Sequence, residues 1–297
     1  EKSALLHAAR PSFPPAAMGG GASAAAKEAV GKSSEEELRE ALGALDEDSK
    51  KKLTAALLGS PKKEGGKKKV ALVSTSASDF EGHATGLWLE ELACPYYLFL
   101  EAGFEVDIVS VAGGEPPVDA ASKAGDFYTE DAKKFDADEA AQTKFKASKK
   151  LEDVAPDVTS YAALYLAGGH GTIVDFPNNK VLIDCIEKMW AAGKVIGADC
   201  HGPMALINCK KPDGEPLVKG LAVTGFSNTE EAAVSLMDKC KEKDVVLEDN
   251  LVKNGGVYEK GDDWSSKVCV AEGKLVTGQN PQSSLECAKK VLELIKY

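Results

Sequence analysis

The chain has 297 residues, of which 43% are hydrophobic, and a formal net charge of -11. This length and composition suffice for one large globular domain or two smaller ones. The acidic balance argues against nucleic acid as a partner, because phosphate groups are bound by clustered lysine and arginine. No run of about 18 apolar residues occurs, so no membrane span is predicted.

Cysteine and histidine usage limits the chemistry further. The seven cysteines form no CxxC pair, their number is odd, and only four histidines are present. This pattern predicts no metal site. An odd set of cysteines favours a reducing compartment, and we therefore predict a cytoplasmic protein.

Residues 1–66 are rich in Ala, Gly, Ser and Lys and are predicted to form a partly disordered extension. The capping-box spacing at residues 34–37, ahead of leucines on one helical face, predicts a short helical hairpin. If translation starts at Met18, Gly19 matches a myristoylation signal. Glycine-rich disorder and a targeting peptide within residues 1–17 are the alternatives.

Residues 67–297 alternate between apolar strands and helices and are predicted to form one domain. Strands joined by helices require crossovers, which predicts an α/β fold with a mostly parallel sheet sandwiched between helices. The polar stretch 111–160, with one helix near 138–150, is interpreted as an insertion that caps the sheet edge or the site. The predicted strands and β-rich segments are 70–74, 104–109, 161–167, 195–199, 221–224 and 268–278. The other predicted helices are 84–102, interrupted near Pro95, and 179–192, 229–240 and 283–295.

The apolar run Val195–Asp199 leads into Cys200 and then into a predicted helix. This order is typical of a strand-to-helix elbow, which needs small residues two positions before and after the nucleophile, here Ala198 and Gly202. Pro203 suits the first turn of a helix. The positive helix N-terminus would favour a thiolate at Cys200. The alternative is a small buried cysteine without chemistry.

Gly168, Gly169 and His170 follow the predicted strand 161–167 directly. Because ligands bind beyond the carboxyl ends of parallel strands, these residues and Cys200 are expected to share one rim. Glycine amides without a nearby Cβ can stabilise an oxyanion, so Gly168 and Gly169 are candidate donors. His170 either lines the pocket or belongs to an ordinary tight turn.

Several motifs occur together and in order along the chain. They are Leu166-Ala167-Gly168-Gly169-His170-Gly171-Thr172, Asp175-Phe176-Pro177, Cys200-His201-Gly202-Pro203, Thr224-Gly225-Phe226 and Leu275-Val276-Thr277-Gly278-Gln279-Asn280-Pro281. Together they resemble the ThiJ/PfpI superfamily, in its branch of chaperone-like glyoxalase III enzymes, also called D-lactate dehydratases. The resemblance runs from about Lys69 to Tyr297 and implies a flavodoxin-like fold similar to class I glutamine amidotransferases.

The resemblance also implies the roles of individual residues. It makes Cys200 the nucleophile, with His201 following it, and puts an acidic partner at Glu91 when the chain is aligned on a Thr-Gly pair. A shift of one residue would select Glu90 instead. The triad acid follows the Thr-Gly-Phe motif and is expected at Glu231. For each glutamate the alternative is an exposed helix charge.

Asp199 departs from the pattern, since relatives carry a small or apolar residue immediately before the nucleophile. If its side chain points toward the site, its charge would raise the pKa of the Cys200 thiol. If it faces the other side of the strand, it would pair with a neighbour.

The resemblance implies conversion of methylglyoxal to D-lactate without glutathione or a cofactor, through a hemithioacetal on Cys200. The substrate would be a small 2-oxoaldehyde. Members of the family often dimerise, so the resemblance is compatible with a homodimer. A stress-responsive holdase or protein deglycase is one alternative, and a cysteine-dependent amidase or peptidase is another. The glycine-lined rim favours a small aldehyde over a peptide.

Overall fold

The computed structural model describes residues 68–295. The predicted extension 1–66, its helical hairpin and the myristoylation signal at Gly19 lie outside the described residues, so the domain boundary stays a prediction. Within 68–295, no helix combines the length and the apolar character needed to cross a membrane.

The described chain alternates between short strands and helices. The strands are β1 (Lys69–Ser74), β2 (Asp79–Phe80), β3 (His83–Ala84), β4 (Glu105–Ser110), β5 (Lys149–Lys150), β6 (Ala163–Leu166), β7 (Val195–Asp199), β8 (Ala222–Val223), β9 (Val257–Tyr258), β10 (Val268–Ala271) and β11 (Leu275–Gly278). The α-helices are α1 (Glu90–Glu101), α2 (Glu130–Ala137), α3 (Glu139–Lys146), α4 (Leu151–Val154), α5 (Thr172–Asp175), α6 (Lys180–Ala191), α7 (Asn228–Ala233), α8 (Met237–Glu242), α9 (Leu247–Lys253) and α10 (Ser284–Ile295). Short 3-10 helices span Ala120–Lys123, Gly125–Phe127, Ala155–Ser160, Gly202–Leu206 and Pro281–Ser283.

Seven strands form the main sheet in the order β10-β11-β7-β6-β1-β4-β5. Every neighbouring pair is parallel except β10 with β11, which form an antiparallel hairpin at one edge. The central strands are nearly continuous apolar runs because both faces of a parallel sheet are covered by helices. The predicted α/β fold with a mostly parallel sheet is confirmed.

Side chains of β1 alternate between two hydrophobic layers. Val70 and Leu72 join the layer that contains residues of α1 and α10, whereas Ala71 and Val73 join the layer that contains residues of α6. This alternation follows from the two-residue period of a strand. The carboxyl ends of β6 and β7 therefore emerge between two helical layers, where the predicted site residues begin.

Four elements differ from their predictions. Helix α1 begins only at Glu90, because Leu87 is held in a bridge to Val118 by backbone hydrogen bonds, and it continues through Pro95 without interruption. The helix predicted over 229–240 is divided into α7 and α8, because Ser235 takes a left-handed conformation with φ of 63°.

The predicted strand 221–224 does not join the main sheet. Its residues form β8, which pairs with β9 in a separate two-stranded sheet. In the stretch 111–160, two successive helices, α2 and α3, take the place of the one predicted helix. That stretch caps the sheet edge, as predicted, because β5 pairs with β4 there.

Gly197 allows helix α10 to pack closely on β7. A Cβ atom at this position would lie 2.6 Å from the Tyr165 ring and 2.7 Å from the Val291 side chain. Real Cβ atoms do not approach other heavy atoms so closely, and all three residues are in the densely packed interior.

We expect Gly197→Ala to lower the free energy of unfolding by about 1–3 kcal/mol, since the added methyl group overpacks the contact between β7 and α10. Gly261→Ala is the matched control, because its methyl group would meet only the end of Ser265 and the side chain of Lys267. Urea denaturation of both variants measures the difference. Equal stabilities would contradict the close packing at Gly197.

Candidate active site

Cys200 lies at the carboxyl end of β7 in a left-handed conformation, with φ of 52°. Its backbone N–H donates to the carbonyl of Gly278 at 3.0 Å, and its carbonyl accepts from the N–H of Phe226 at 2.9 Å. The predicted elbow is therefore present. The helix that follows the elbow is the short 3-10 helix Gly202–Leu206.

The Cys200 thiol, His201 and Glu231 form a connected row of side chains. The Cys200 Sγ lies 3.5 Å from His201 Nδ1, and His201 Nε2 lies 2.7 Å from Glu231 Oε2. His201 is fully buried and Glu231 is 3% exposed. This is the order of nucleophile, base and acid that a catalytic triad requires.

Glu231 also binds a second imidazole, since His170 Nε2 lies 2.9 Å from Glu231 Oε1. Burial works against ionisation of Glu231, but His201 and His170 outweigh it and hold the pKa of this carboxyl well below its usual range. An ionised carboxylate only accepts hydrogen bonds, so both Nε2 atoms carry the proton.

His201 is consequently the neutral Nε2–H tautomer. Burial and the neighbouring His170 lower the pKa of His201, although Glu231 opposes them. The unprotonated Nδ1 then faces the Cys200 thiol and can accept its proton.

Glu91 is fully buried beside the nucleophile. Its Oε2 accepts a hydrogen bond of 2.7 Å from the Gly168 amide, and its carboxyl group lies against the Cys200 thiol. Burial and the charge of Asp199 raise the pKa of Glu91 well above its usual range. Glu90 instead accepts a hydrogen bond from Thr129, away from the thiol. The structure thus brings Glu91, and not Glu90, to the nucleophile.

The predicted thiolate at Cys200 is not favoured. Burial, Glu91 and Asp199 raise the pKa of the Cys200 thiol well above its usual range, and the hydrogen bond from the Gly169 amide only partly offsets them. The electrostatic benefit of a helix N-terminus is small here because only a short 3-10 turn follows the elbow. The resting nucleophile is a thiol that needs a base.

The predicted oxyanion donors have different surroundings. The Gly168 amide already donates to Glu91, whereas the Gly169 amide contacts the Cys200 thiol. Gly169 has φ of 99°, and a side chain there would collide with the backbone of Trp88, so glycine is required. His170 lines the pocket, as one of its two predicted alternatives proposed, and binds Glu231.

Asp199 faces away from the thiol and pairs with neighbours. Its Oδ2 accepts hydrogen bonds from the Tyr165 hydroxyl at 2.9 Å and from the Ser284 hydroxyl at 2.7 Å. Burial raises the pKa of Asp199 to about 7 despite those two bonds. Its charge nevertheless raises the pKa of the Cys200 thiol, so both alternatives considered for this residue apply in part.

Two imidazoles and one carboxylate in the site form a group that could hold a metal ion. The donor atoms of His170, His201 and Glu231 lie within 4.8 Å of one another, and this combination is typical of zinc and iron sites. Both imidazole N–H groups are already paired with Glu231 in hydrogen bonds. These three residues are therefore satisfied as a hydrogen-bonded cluster without an ion.

Most of the residues that line the cavity beside the thiol were not predicted from the sequence. A signal was present, because Trp264 stands alone as a large aromatic residue in the polar run Lys260–Lys267. The residues that line the cavity with Cys200 are His83, Trp88, Asp119, Ala121, Phe127, Gly169, His170, Phe226, Val234, Leu236, Trp264 and Pro281. Three of them, at positions 119 to 127, come from the polar insertion, which therefore covers the site as well as the sheet edge.

Comparison with known proteins agrees with this geometry. The DJ-1/PfpI family model matches residues 84–294. Glyoxalase 3 of Candida albicans is 32% identical over 231 residues, covering 75% of this chain and 97% of the relative. The glutathione-independent glyoxalase HSP31 of Saccharomyces cerevisiae is 33% identical over 243 residues, covering 77% and 98%.

Solved structures give the same result. The crystal structure of Rapid Encystment Protein 24 KDa from Francisella tularensis is 40% identical with a TM-score of 0.70, covering 77% of this chain and 99% of that one. The crystal structure of glyoxalase III from Candida albicans is 30% identical with a TM-score of 0.70, covering 76% and 97%. The resemblance seen in the sequence is thereby confirmed, and the chain belongs to the DJ-1/PfpI family.

Proposed function

We propose that this chain is a glutathione-independent glyoxalase that converts methylglyoxal and water to D-lactate. One relative is named Glyoxalase 3 and another is named a glutathione-independent glyoxalase. The observation that carries the proposal is the surroundings of one thiol. Cys200 Sγ lies 3.5 Å from the unprotonated nitrogen of His201, while the Glu91 carboxyl group lies against the same sulfur.

In the first step the Cys200 sulfur attacks the aldehyde carbon. His201 Nδ1 accepts the thiol proton, and Glu91, which its raised pKa keeps neutral at rest, gives its proton to the former carbonyl oxygen. The product is a hemithioacetal, and Glu91 is left as a carboxylate. Glu231 stabilises the transient imidazolium because its ionised carboxylate accepts the Nε2–H at 2.7 Å. The Gly169 amide, which contacts the thiol, is suited to donate to the developing oxyanion.

In the second step a proton moves between the two substrate carbons. The Glu91 carboxylate removes the proton from the carbon bonded to sulfur, which gives an enediolate. The hydroxyl proton then passes to the former ketone oxygen, and Glu91 returns the proton it removed to the adjacent carbon. The product is a thioester of lactate. Because burial and Asp199 raise the pKa of Glu91, its carboxylate is a stronger base than a solvated glutamate. The Gly168 amide holds the carboxyl group in place.

In the last step water attacks the thioester carbonyl, the carbon–sulfur bond breaks, and lactate leaves. His201 returns its proton to the departing sulfur, and Glu91 takes up the proton that the water loses, which regenerates the Cys200 thiol and the neutral Glu91. The sequence consumes one water and needs no external oxidant or reductant.

The position of Glu91 favours an aldehyde substrate over an amide. A cysteine amidase needs the nucleophile, a base and an oxyanion donor, but it has no proton to move between carbons. The fully buried Glu91 carboxyl group beside the sulfur is therefore explained by the aldehyde reaction and not by amide cleavage.

We also propose a cytoplasmic location, because the seven cysteines are all free and a reducing compartment keeps thiols in that state. A homodimer stays a prediction, which size-exclusion chromatography with light scattering would test.

Replacing the nucleophile gives the most direct test. We expect Cys200→Ser to lower the rate of lactate formation from methylglyoxal without glutathione by more than about 10³-fold, because a serine hydroxyl is a much weaker nucleophile here. The product is measured by chiral chromatography. Cys269→Ala, on the edge strand β10, is the matched control and should retain activity. Activity retained in Cys200→Ser would refute the mechanism.

The two adjacent glutamates provide an internal comparison. Glu91→Gln should lower kcat by about 10²–10⁴-fold, because the amide cannot move the proton between the substrate carbons. Glu90→Gln should stay within about threefold of the wild type, since Glu90 binds Thr129 instead of the thiol. Steady-state kinetics on both variants measures the contrast. A loss confined to Glu90→Gln would reverse the assignment.

The pH profile tests the link between His201 and Glu231. In the wild type, kcat/KM should fall toward acid pH as His201 becomes protonated, and burial puts that pKa below the usual histidine value. Glu231→Gln removes the negative charge that favours the imidazolium, so the pKa of His201 falls further and the acid limb moves to lower pH. The variant should also lose about 10²-fold or more in kcat. An acid limb that moves to higher pH would contradict this link.

A further inference from the structure

The cavity beside the Cys200 thiol is larger than methylglyoxal requires. Its volume is about 330 Å³. Pockets of about 300–1,000 Å³ typically enclose drug-sized ligands, whereas methylglyoxal has three carbons and two oxygens. The cavity has room for a much larger group on the ketone carbon of a 2-oxoaldehyde.

Four aromatic rings form one continuous wall of this cavity. The ring centroids of Trp88 and Phe127 are 5.1 Å apart, those of Phe127 and Trp264 are 6.0 Å apart, and those of Trp264 and Phe226 are 5.7 Å apart. Phe226 in turn lies 4.7 Å from the His201 ring. Rings at these separations and tilted angles form the edge-to-face arrangements into which a further aromatic ring packs favourably.

The charge of the lining also selects against anionic substrates. Among the described residues that line the cavity there is no lysine or arginine. Asp119, the acidic residue in the wall, accepts hydrogen bonds from the Thr85 hydroxyl and the Ala121 amide, so its oxygens are engaged. Trp88 Nε1 is a buried donor with no partner within residues 68–295. The lining suits an uncharged aromatic group.

Trp264 is held in the wall by a network of hydrogen bonds centred on the Glu230 carboxylate. Its φ of 61° is unusual for a tryptophan, and its backbone N–H donates to Glu230 Oε1 at 2.9 Å. The same oxygen accepts from Asn280 at 2.8 Å, and Glu230 Oε2 accepts from the Ser227 amide at 3.0 Å. Strained residues that several contacts hold in place are concentrated at ligand sites. Glu230 therefore holds Trp264 in the wall, while the next residue in the chain, Glu231, binds His201.

Granting the glyoxalase function proposed above, we propose that the preferred substrates are aryl 2-oxoaldehydes, whose ring packs against Trp88, Phe127, Phe226 and Trp264 while the aldehyde carbon meets Cys200. The chemistry is unchanged. The proton on the aldehyde carbon moves to the ketone carbon and water releases the acid, so phenylglyoxal gives mandelate. No oxidant or reductant is consumed.

The test compares kcat/KM for phenylglyoxal and methylglyoxal, with mandelate and lactate measured by chromatography. In the wild type we expect phenylglyoxal to be favoured by about tenfold or more. Trp264→Ala should lower kcat/KM for phenylglyoxal by about tenfold more than kcat/KM for methylglyoxal. Trp190→Phe, on α6 and outside the lining, is the matched control and should not change the ratio. If Trp264→Ala fails to fold, Phe127→Ala on the half-exposed 3-10 helix replaces it.

The deciding quantity is the ratio of kcat/KM for phenylglyoxal to kcat/KM for methylglyoxal. If methylglyoxal is turned over and this ratio is one or less, or if the wall variants do not change the ratio, the aryl preference is overturned. The proposed glyoxalase function would still stand. Turnover of neither aldehyde would overturn both. A wild-type ratio above tenfold that collapses in Trp264→Ala and persists in Trp190→Phe would establish the aromatic wall as the determinant of specificity.

Discussion

The left-handed backbone of Cys200 is the constraint on which the site depends. Such a conformation costs a non-glycine residue about 1–3 kcal/mol, and it persists only where the surroundings hold it. Here the carbonyl of Gly278 and the N–H of Phe226 bind the elbow from two sides. These bonds fix β11 and the segment after β8 against the end of β7. Glu231, five residues beyond Phe226, thereby reaches His201.

Three buried carboxyl groups near one thiol would repel each other if all were ionised, and the structure avoids this by giving each a different environment. Glu231 lies between two imidazole N–H donors and stays ionised. Glu91 and Asp199 lie where burial raises the pKa, which favours their neutral forms. When different environments separate the pKa values of neighbouring groups, one group can act as an acid and another as a base in the same site. The Cys200 thiol consequently depends on His201, and not on its own acidity, for activation.

Local signals in the sequence were sufficient for most of the fold. Apolar runs predicted the central strands, and their spacing predicted the parallel sheet, because both depend on neighbours along the chain. The exceptions involve long-range contacts. Packing on both sides allows Pro95 inside α1, and pairing with β9 takes β8 out of the main sheet. The choice between Glu90 and Glu91 depended on which side of α1 faces the thiol, which only the packed helix decides.

The sequence by itself determined which residues are available to the site and that Cys200 follows a buried strand ahead of a turn. It also marked Asp199 as unusual. Only the tertiary structure decided where that side chain lies, since alternation along β7 puts it on the same face as Gly197, and the packing of α10 brings a serine hydroxyl to it. The aromatic wall with Trp264 was likewise decided by tertiary structure, because its rings come from distant segments that meet only when each buries apolar surface against the others.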